Sequence, residues 1–121
     1  MAIQVDVSNQ DETTVVAVTG AADGGSAPGL QTQLLPLLQP GGALVLNLGG
    51  VNYMSSAGLR VLLLLYRQAM TGKGRVVLAG LAESIKDTMT ITGFLKFFTV
   101  ADNVEQALVA LQPVEEANFF V

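Results

Sequence analysis

The order of apolar patterns predicts an α/β domain. Five strand-like runs and four helix-like segments follow one another as ββαβαβαβα. Helices interleaved with strands in this way cover a mostly parallel sheet, so the expectation is one mixed sheet of about five strands with about four helices. Size agrees: 121 residues, 50% hydrophobic, fit a single domain over residues 1–121, within the common range of about 100–150. Such a chain buries roughly two-thirds of the surface it exposes when unfolded. Packing alone can therefore hold it, and it has no Cys to form a disulfide.

Ile3 to Ser8 alternates apolar and polar side chains, and Thr13 to Thr19 is rich in β-branched residues, with Asn9-Gln10-Asp11 between them as turn chemistry. These predict an opening hairpin. Gly20 to Gly25 reads as a loop, after which Ser26 is placed to cap a helix with Pro28 in its tolerant first turn. Leu30, Leu34, Leu37 and Leu38 recur at helical spacing, and Pro36 predicts a kink or an early last turn.

Pro40-Gly41-Gly42 ends that segment, and Ala43 to Leu48 has the near-continuous apolar character of a buried strand. Ser56 to Met70 predicts the second helix, closed by Thr71-Gly72-Lys73-Gly74, and Arg75 to Ala79 the next strand. Ala82 to Thr92 predicts a third helix with Gly93 as its stop. Leu95 to Val100 reads as a short edge strand, and Asp102 or Asn103 caps a last helix bearing Val104, Leu108 and Leu111, closed by Pro113.

Composition excludes several functions. A net charge of −4, with six scattered Lys and Arg, supplies no patch to neutralise phosphates, so nucleic acid is not an expected partner. The richest apolar run, Val61 to Leu65, is flanked by Arg60 and Arg67 and is far too short to span a bilayer. The opening residues Met-Ala-Ile-Gln-Val-Asp lack a basic and apolar leader. No membrane insertion and a cytoplasmic location are expected. Without His or Cys, the Ser-His-acid and Cys-His nucleophile arrangements are impossible. The glycines around Lys73 lack the spacing of a phosphate-cradling loop, and no cofactor, metal site or catalytic residue is expected.

The most informative stretch is Asn47 to Leu63, where an apolar strand passes through a small polar turn into an apolar helix. It sets Ser55 and Ser56 at a helix start, which exposes unpaired backbone N–H groups and the positive end of the macrodipole. One serine of the pair can simply cap the helix. Arg60 and Arg67, seven residues or about two turns apart, can project from one stripe. That stripe is either a partner contact or a solvated face. The terminal Asn118-Phe119-Phe120-Val121 is apolar for a chain end and can dock on the sheet or on another subunit.

The Ser55-Ser56-Ala57-Gly58-Leu59 step resembles the STAS domain of bacterial anti-sigma factor antagonists, in which a strand, a short turn and a Ser-(Ser/Ala)-Gly-Leu step carry a regulatory phosphoserine. The N-terminal hairpin, Gly20-Ala21-Ala22-Asp23 at the family's Gly-Glu-Leu-Asp loop, and the late Thr92-Gly93-Phe94 extend the resemblance over nearly the whole chain. It implies phosphorylation at Ser56, with Ser55 as second choice, and partner contacts from Asp23, Ser55, Ser56, Ala57, Gly58 and Arg60. Asp23 is expected to orient the serine hydroxyl or touch the partner, and Gly58 to let helix and partner approach or to relieve crowding.

Two positions depart from the family pattern. Ser55 stands where many members have an acidic residue, and Asn47 stands where aspartate is common, leaving a neutral side chain able to bond locally. The implied role is that of switch in a partner-switching circuit. Its partners would be an anti-sigma factor that is also a serine kinase, and a metal-dependent serine phosphatase. The competing reading is a STAS accessory subunit of an ABC-type lipid transport system, using the same helix edge without phosphorylation. A small serine hydrolase is the third, with no base evident for Ser56.

Overall fold

The structure, a computed structural model, describes residues 3–112. Its elements are β1 (Gln4–Gln10), β2 (Thr13–Ala22), α1 (Ala27–Leu34), β3 (Ala43–Met54), α2 (Ser56–Gly72), β4 (Arg75–Ala79), α3 (Glu83–Ile91), β5 (Thr99–Ala101) and α4 (Val104–Leu111). Short 3-10 turns occupy Leu35–Leu37 and Leu95–Phe97. Among the described residues the five strands form one sheet in the order β1-β2-β3-β4-β5. β1 pairs antiparallel with β2, and every other neighbouring pair is parallel. The expected mixed α/β sheet is what the chain builds.

The apolar runs explain the layers. Leu44, Val45 and Leu46 of the central strand are all fully buried, as a strand covered on both faces must be. On one face Leu30 and Leu34 of α1, Leu62 and Leu65 of α2 and Met89 of α3 close over Val16, Leu44, Leu46 and Leu78. On the other, Ala107 and Leu111 of α4 cover Val45, Val77 and Ala79.

Several boundaries differ from the sequence expectation, each for a tertiary reason. The hairpin turn is tighter, with Asp11 in the left-handed region at φ 55°, so β1 runs on to Gln10 while β2 begins at Thr13 as expected. Gly20 to Ala22 belong to β2 rather than to a loop. Register shifts between Ala17 and Thr19 and between Gly20 and Ala21, with Gly20 at φ 113°, mark an irregular strand whose glycine reads like a loop in sequence. β3 likewise continues past Leu48 to Met54, because the prolonged β2 pairs with it there, through Ala21↔Tyr53 and Ala22↔Met54. The expected edge strand Leu95 to Val100 is instead a 3-10 turn followed by β5, since β4 offers partners only to Thr99, Val100 and Ala101.

Pro36 does end α1 early, within the 3-10 turn. One side chain binds two carbonyls of this break: Gln68 Nε2 of α2 donates to the Leu35 oxygen at 2.6 Å and the Leu38 oxygen at 2.8 Å. Asn103, not Asp102, caps α4 by accepting from the Gln106 N–H at 2.8 Å. Gly93, at φ 81°, stops α3. Pro113 and the Phe119-Phe120 pair lie outside the described residues.

Candidate functional site

β4 ends opposite Asn47, whereas β3 runs on to Met54 with only β2 beside it. The β2–β3 pair thus projects past the rest of the sheet and carries the start of α2 at its tip. The exit of β4 fixes where the projection begins. A Cβ on Gly80, which has φ 72°, would sit 3.2 Å from the Gly49 backbone. Asn47 Oδ1 accepts from the Gly49 N–H at 3.0 Å, so the expected local bond forms, though within a strand rather than a turn.

The two serines divide the work of this corner. Ser55 is the N-cap, with extended backbone at φ −85° and ψ 177°. Its Oγ accepts from the Gly58 N–H at 3.4 Å and donates to the Ala22 carbonyl at 3.3 Å, while its own N–H donates to that same carbonyl at 2.8 Å. It ties the helix start to the end of β2. Ser56 is the first helical residue and is exposed, and its hydroxyl takes part in no side-chain hydrogen bond among the described residues. No acidic residue occupies the first turn of α2, so no side-chain charge of that turn offsets the positive end of the helix.

Gly58 is buried, and its reason is internal. A Cβ there would lie 2.8 Å from the Ala22 carbonyl oxygen and 2.9 Å from Met54 Cγ, so only glycine lets α2 settle on β2 and β3. Ala57 is half-buried against the core, and Arg60 is exposed. Arg67 is exposed with it, as the two-turn spacing requires. Tyr66, by contrast, turns toward the 3-10 turn and meets Phe97 at a tilt and Phe98 edge-on, with centroids 5.5 and 5.7 Å away.

Asp23 neighbours this corner but is occupied with its own loop. Its Oδ1 accepts from the Gly25 and Ser26 N–H groups, both at 3.0 Å, and these bonds to the charged form hold its carboxyl below the usual value, the Ser26 bond foremost. Ser26 answers with its Oγ, accepting from the Asp23 N–H at 2.9 Å and donating to the Ala21 carbonyl at 2.7 Å. Ser26 therefore stands at the N-cap of α1 without capping it through its side chain, contrary to expectation. Among the described residues neither Ser55 nor Ser56 bonds to the Asp23 carboxylate, whose two hydrogen bonds go to the loop. What Asp23 does is hold the turn next to the carbonyl that receives Ser55.

Beside this corner lies a cleft that the sequence did not announce. The projecting end of β3, the first turn of α2 and helix α3 enclose about 190 Å³, lined by Tyr53, Met54, Leu59, Ile85 and Thr88 among others. Its walls come from two stretches of chain far apart in sequence, 52–59 and 84–88, so no local motif marks it. Among the described residues no group of three or more His, Cys, Asp or Glu side chains is placed to hold a metal ion.

The sequence profile of the STAS domain matches residues 4–107. The chain is 34% identical over 103 residues to BtrV of Bordetella bronchiseptica, named as a candidate anti-sigma factor antagonist, covering 84% of this chain and 89% of that protein. It is 31% identical over 105 residues to the anti-sigma-B factor antagonist of Bacillus subtilis, covering 87% and 96%. The crystal structure of an anti-sigma factor antagonist from Mycobacterium paratuberculosis superposes with a TM-score of 0.82 at 26% identity, covering 92% of this chain and 95% of that one. With its sheet order, its serine-capped second helix and a profile spanning most of its length, the chain belongs to the STAS domain family.

Proposed function

We propose that this chain is an anti-sigma factor antagonist whose binding is switched by phosphorylation of Ser56. The carrying observation is the division between the serines: Ser55 is consumed in capping α2, while Ser56 presents a free, exposed hydroxyl at the same helix start. Unphosphorylated, the chain binds an anti-sigma factor that is also a serine kinase. The kinase moves the γ-phosphoryl group of ATP onto Ser56 Oγ, the hydroxyl proton leaves and ADP is released. A metal-dependent serine phosphatase hydrolyses the ester and returns the hydroxyl and inorganic phosphate. The chain supplies the acceptor and the docking surface, and the chemistry belongs to its partners. An ATP-using kinase as partner points to the cytoplasm. Among the described residues no helix is long and apolar enough to cross a membrane.

Magnitudes locate Ser56 within the contact. Phosphorylation adds about −1.5 to −2 charge. A unit like charge at about 4 Å costs about 1 kcal/mol in water-like surroundings and about 4 at an effective dielectric near 20. A nearly complete switch needs roughly 5.5 kcal/mol of differential affinity. Repulsion across a wet surface falls short of that, so the phosphate must also be desolvated or sterically excluded. The exposed Ser56 and Arg60, one helical turn apart, share the face that a partner would cover.

Incubation with an anti-sigma factor kinase of the same genome and ATP, followed by intact mass and site mapping, tests the reading. One added phosphate on Ser56 is expected. Ser56→Ala retains partner affinity and Ser56→Asp loses much of it. Modification at Ser55 alone, or no modification by any kinase that binds the chain, would overturn it and favour the permanent scaffold role.

A further inference from the structure

We propose that the cleft bounded by Tyr53, Leu59 and α3 is a specificity pocket that receives one bulky apolar side chain of the anti-sigma factor. The proposal rests on the docking reading of the Ser56 face, and it extends that face across the end of β3 to α3. Leu59 provides the continuity: it lies one turn along α2 from Ser56, where side chains are neighbours, and it forms one wall of the cleft.

The chemistry of the lining selects the occupant. Met54, Leu59 and Ile85 form its apolar walls, Tyr53 stands 55% exposed beside them, and the uncharged polar side chains of Asn52 and Ser84 complete the lining. Thr88 adds a hydroxyl whose proton is already given to the Ser84 carbonyl at 3.0 Å. No charged residue lines the cleft. A charged group inserted here would lose hydration without a partner, whereas an aliphatic or aromatic side chain meets apolar walls. At about 190 Å³ the cleft is smaller than the roughly 300 Å³ at which small-molecule sites begin. It exceeds the roughly 150 Å³ that accommodates a benzene ring, the volume of one Leu or Phe side chain rather than of a nucleotide or cofactor.

A half-exposed tyrosine beside a pocket next to a modifiable serine is the arrangement of an anchor, since aromatic residues dominate the affinity of protein interfaces. The partner is thus read at two points. Ser56 decides whether it binds, and the cleft decides which homologous anti-sigma factor fits.

Calorimetric titration with the anti-sigma factor that binds the wild-type chain tests this through Tyr53→Ala and Thr88→Lys, both at exposed positions, with Val109→Ser on α4 as control. Each of the first two should weaken binding at least tenfold, and the control should not. In parallel, the Ile85 methyl resonances should shift on addition of unlabelled partner. Wild-type affinity in both cleft variants with no Ile85 shift would overturn the pocket. If Ser56→Asp still abolishes binding in that case, the docking reading stands without it. If the cleft variants lose affinity while Ser56→Asp binds as wild type, the pocket stands and the switch reading fails.

Discussion

Ser55 and Ser56 are chemically identical and adjacent, yet a single peptide step separates a structural cap from a free hydroxyl. The cap, half-buried, accepts a helical N–H and donates to Ala22, so its hydroxyl is engaged where that of Ser56 is not. Gly58, three residues beyond, shows how close the packing is at this corner. A methyl group 2.8 Å from a backbone oxygen cannot be relieved by a side-chain rotation. Gly58→Ala should therefore destabilise the domain by about 1–3 kcal/mol, the usual cost of overpacking, read as a lowered midpoint in urea unfolding. Asp23 carries a pH signature. Its folded carboxyl titrates below the unfolded value of 3.8, so its contribution to the loop is complete above that value and is lost as pH falls through the lowered folded one. A carboxyl-carbon NMR titration should show a midpoint below 3.8, with the Gly25 and Ser26 amides shifting in step.

Helix α2 holds the site because both its ends are tied to other elements. Its start is fastened to β2 through Ser55, and its later turns to the break after α1 through Gln68. One amide group serves two carbonyls of the proline turn, that of Leu38 and that of Leu35, which otherwise accepts only a long 3.3 Å bond from the Leu38 N–H. Gln68→Leu should cost about 1–3 kcal/mol, the penalty for stranding the Leu38 acceptor, and should speed hydrogen exchange around Pro36 more than around Ser56. The helix reads as apolar in sequence because one side lies on the sheet with Leu62 and Leu65 fully buried, while Arg60 and Arg67 mark the stripe left outside. Its amphipathic spacing was legible from residue order alone. The turn into it was not, because Gly49 to Met54 adopt strand geometry only by pairing with β2.

Across the whole molecule, the parallel strands and the three helices on one face make a rigid body from which the β2–β3 projection holds out the α2 start. A phosphate on Ser56 meets the positive end of a helix that has no acidic first-turn residue, so it is stabilised in the free protein by about 0.3–1 kcal/mol. The fold has no reason to rearrange. Amide correlation spectra of the two forms should differ only around residues 53–60 and the Asp23 loop, while partner affinity falls by orders of magnitude. Shifts spread through α3, α4 and the sheet would contradict a switch that acts at the interface alone.

Residue order by itself determined the α/β class, the succession of nine elements, the central role of Ala43 to Leu48 and the pair of serines at a helix mouth, because periodicity, proline and glycine act locally. It did not separate Ser55 from Ser56, since either side chain can cap. It placed Gly20 to Ala22 in a loop and Leu95 to Phe97 in a strand, since glycine signals both bulge and turn, and apolar residues suit both a strand and a packed 3-10 turn. Those outcomes depend on distant partners: the Ala22 carbonyl that receives Ser55, the length of β4 that limits β5, and the meeting of β3, α2 and α3 that forms the cleft. Hydrogen bonds and packing between segments far apart in sequence decide them, and only the folded chain brings those segments together.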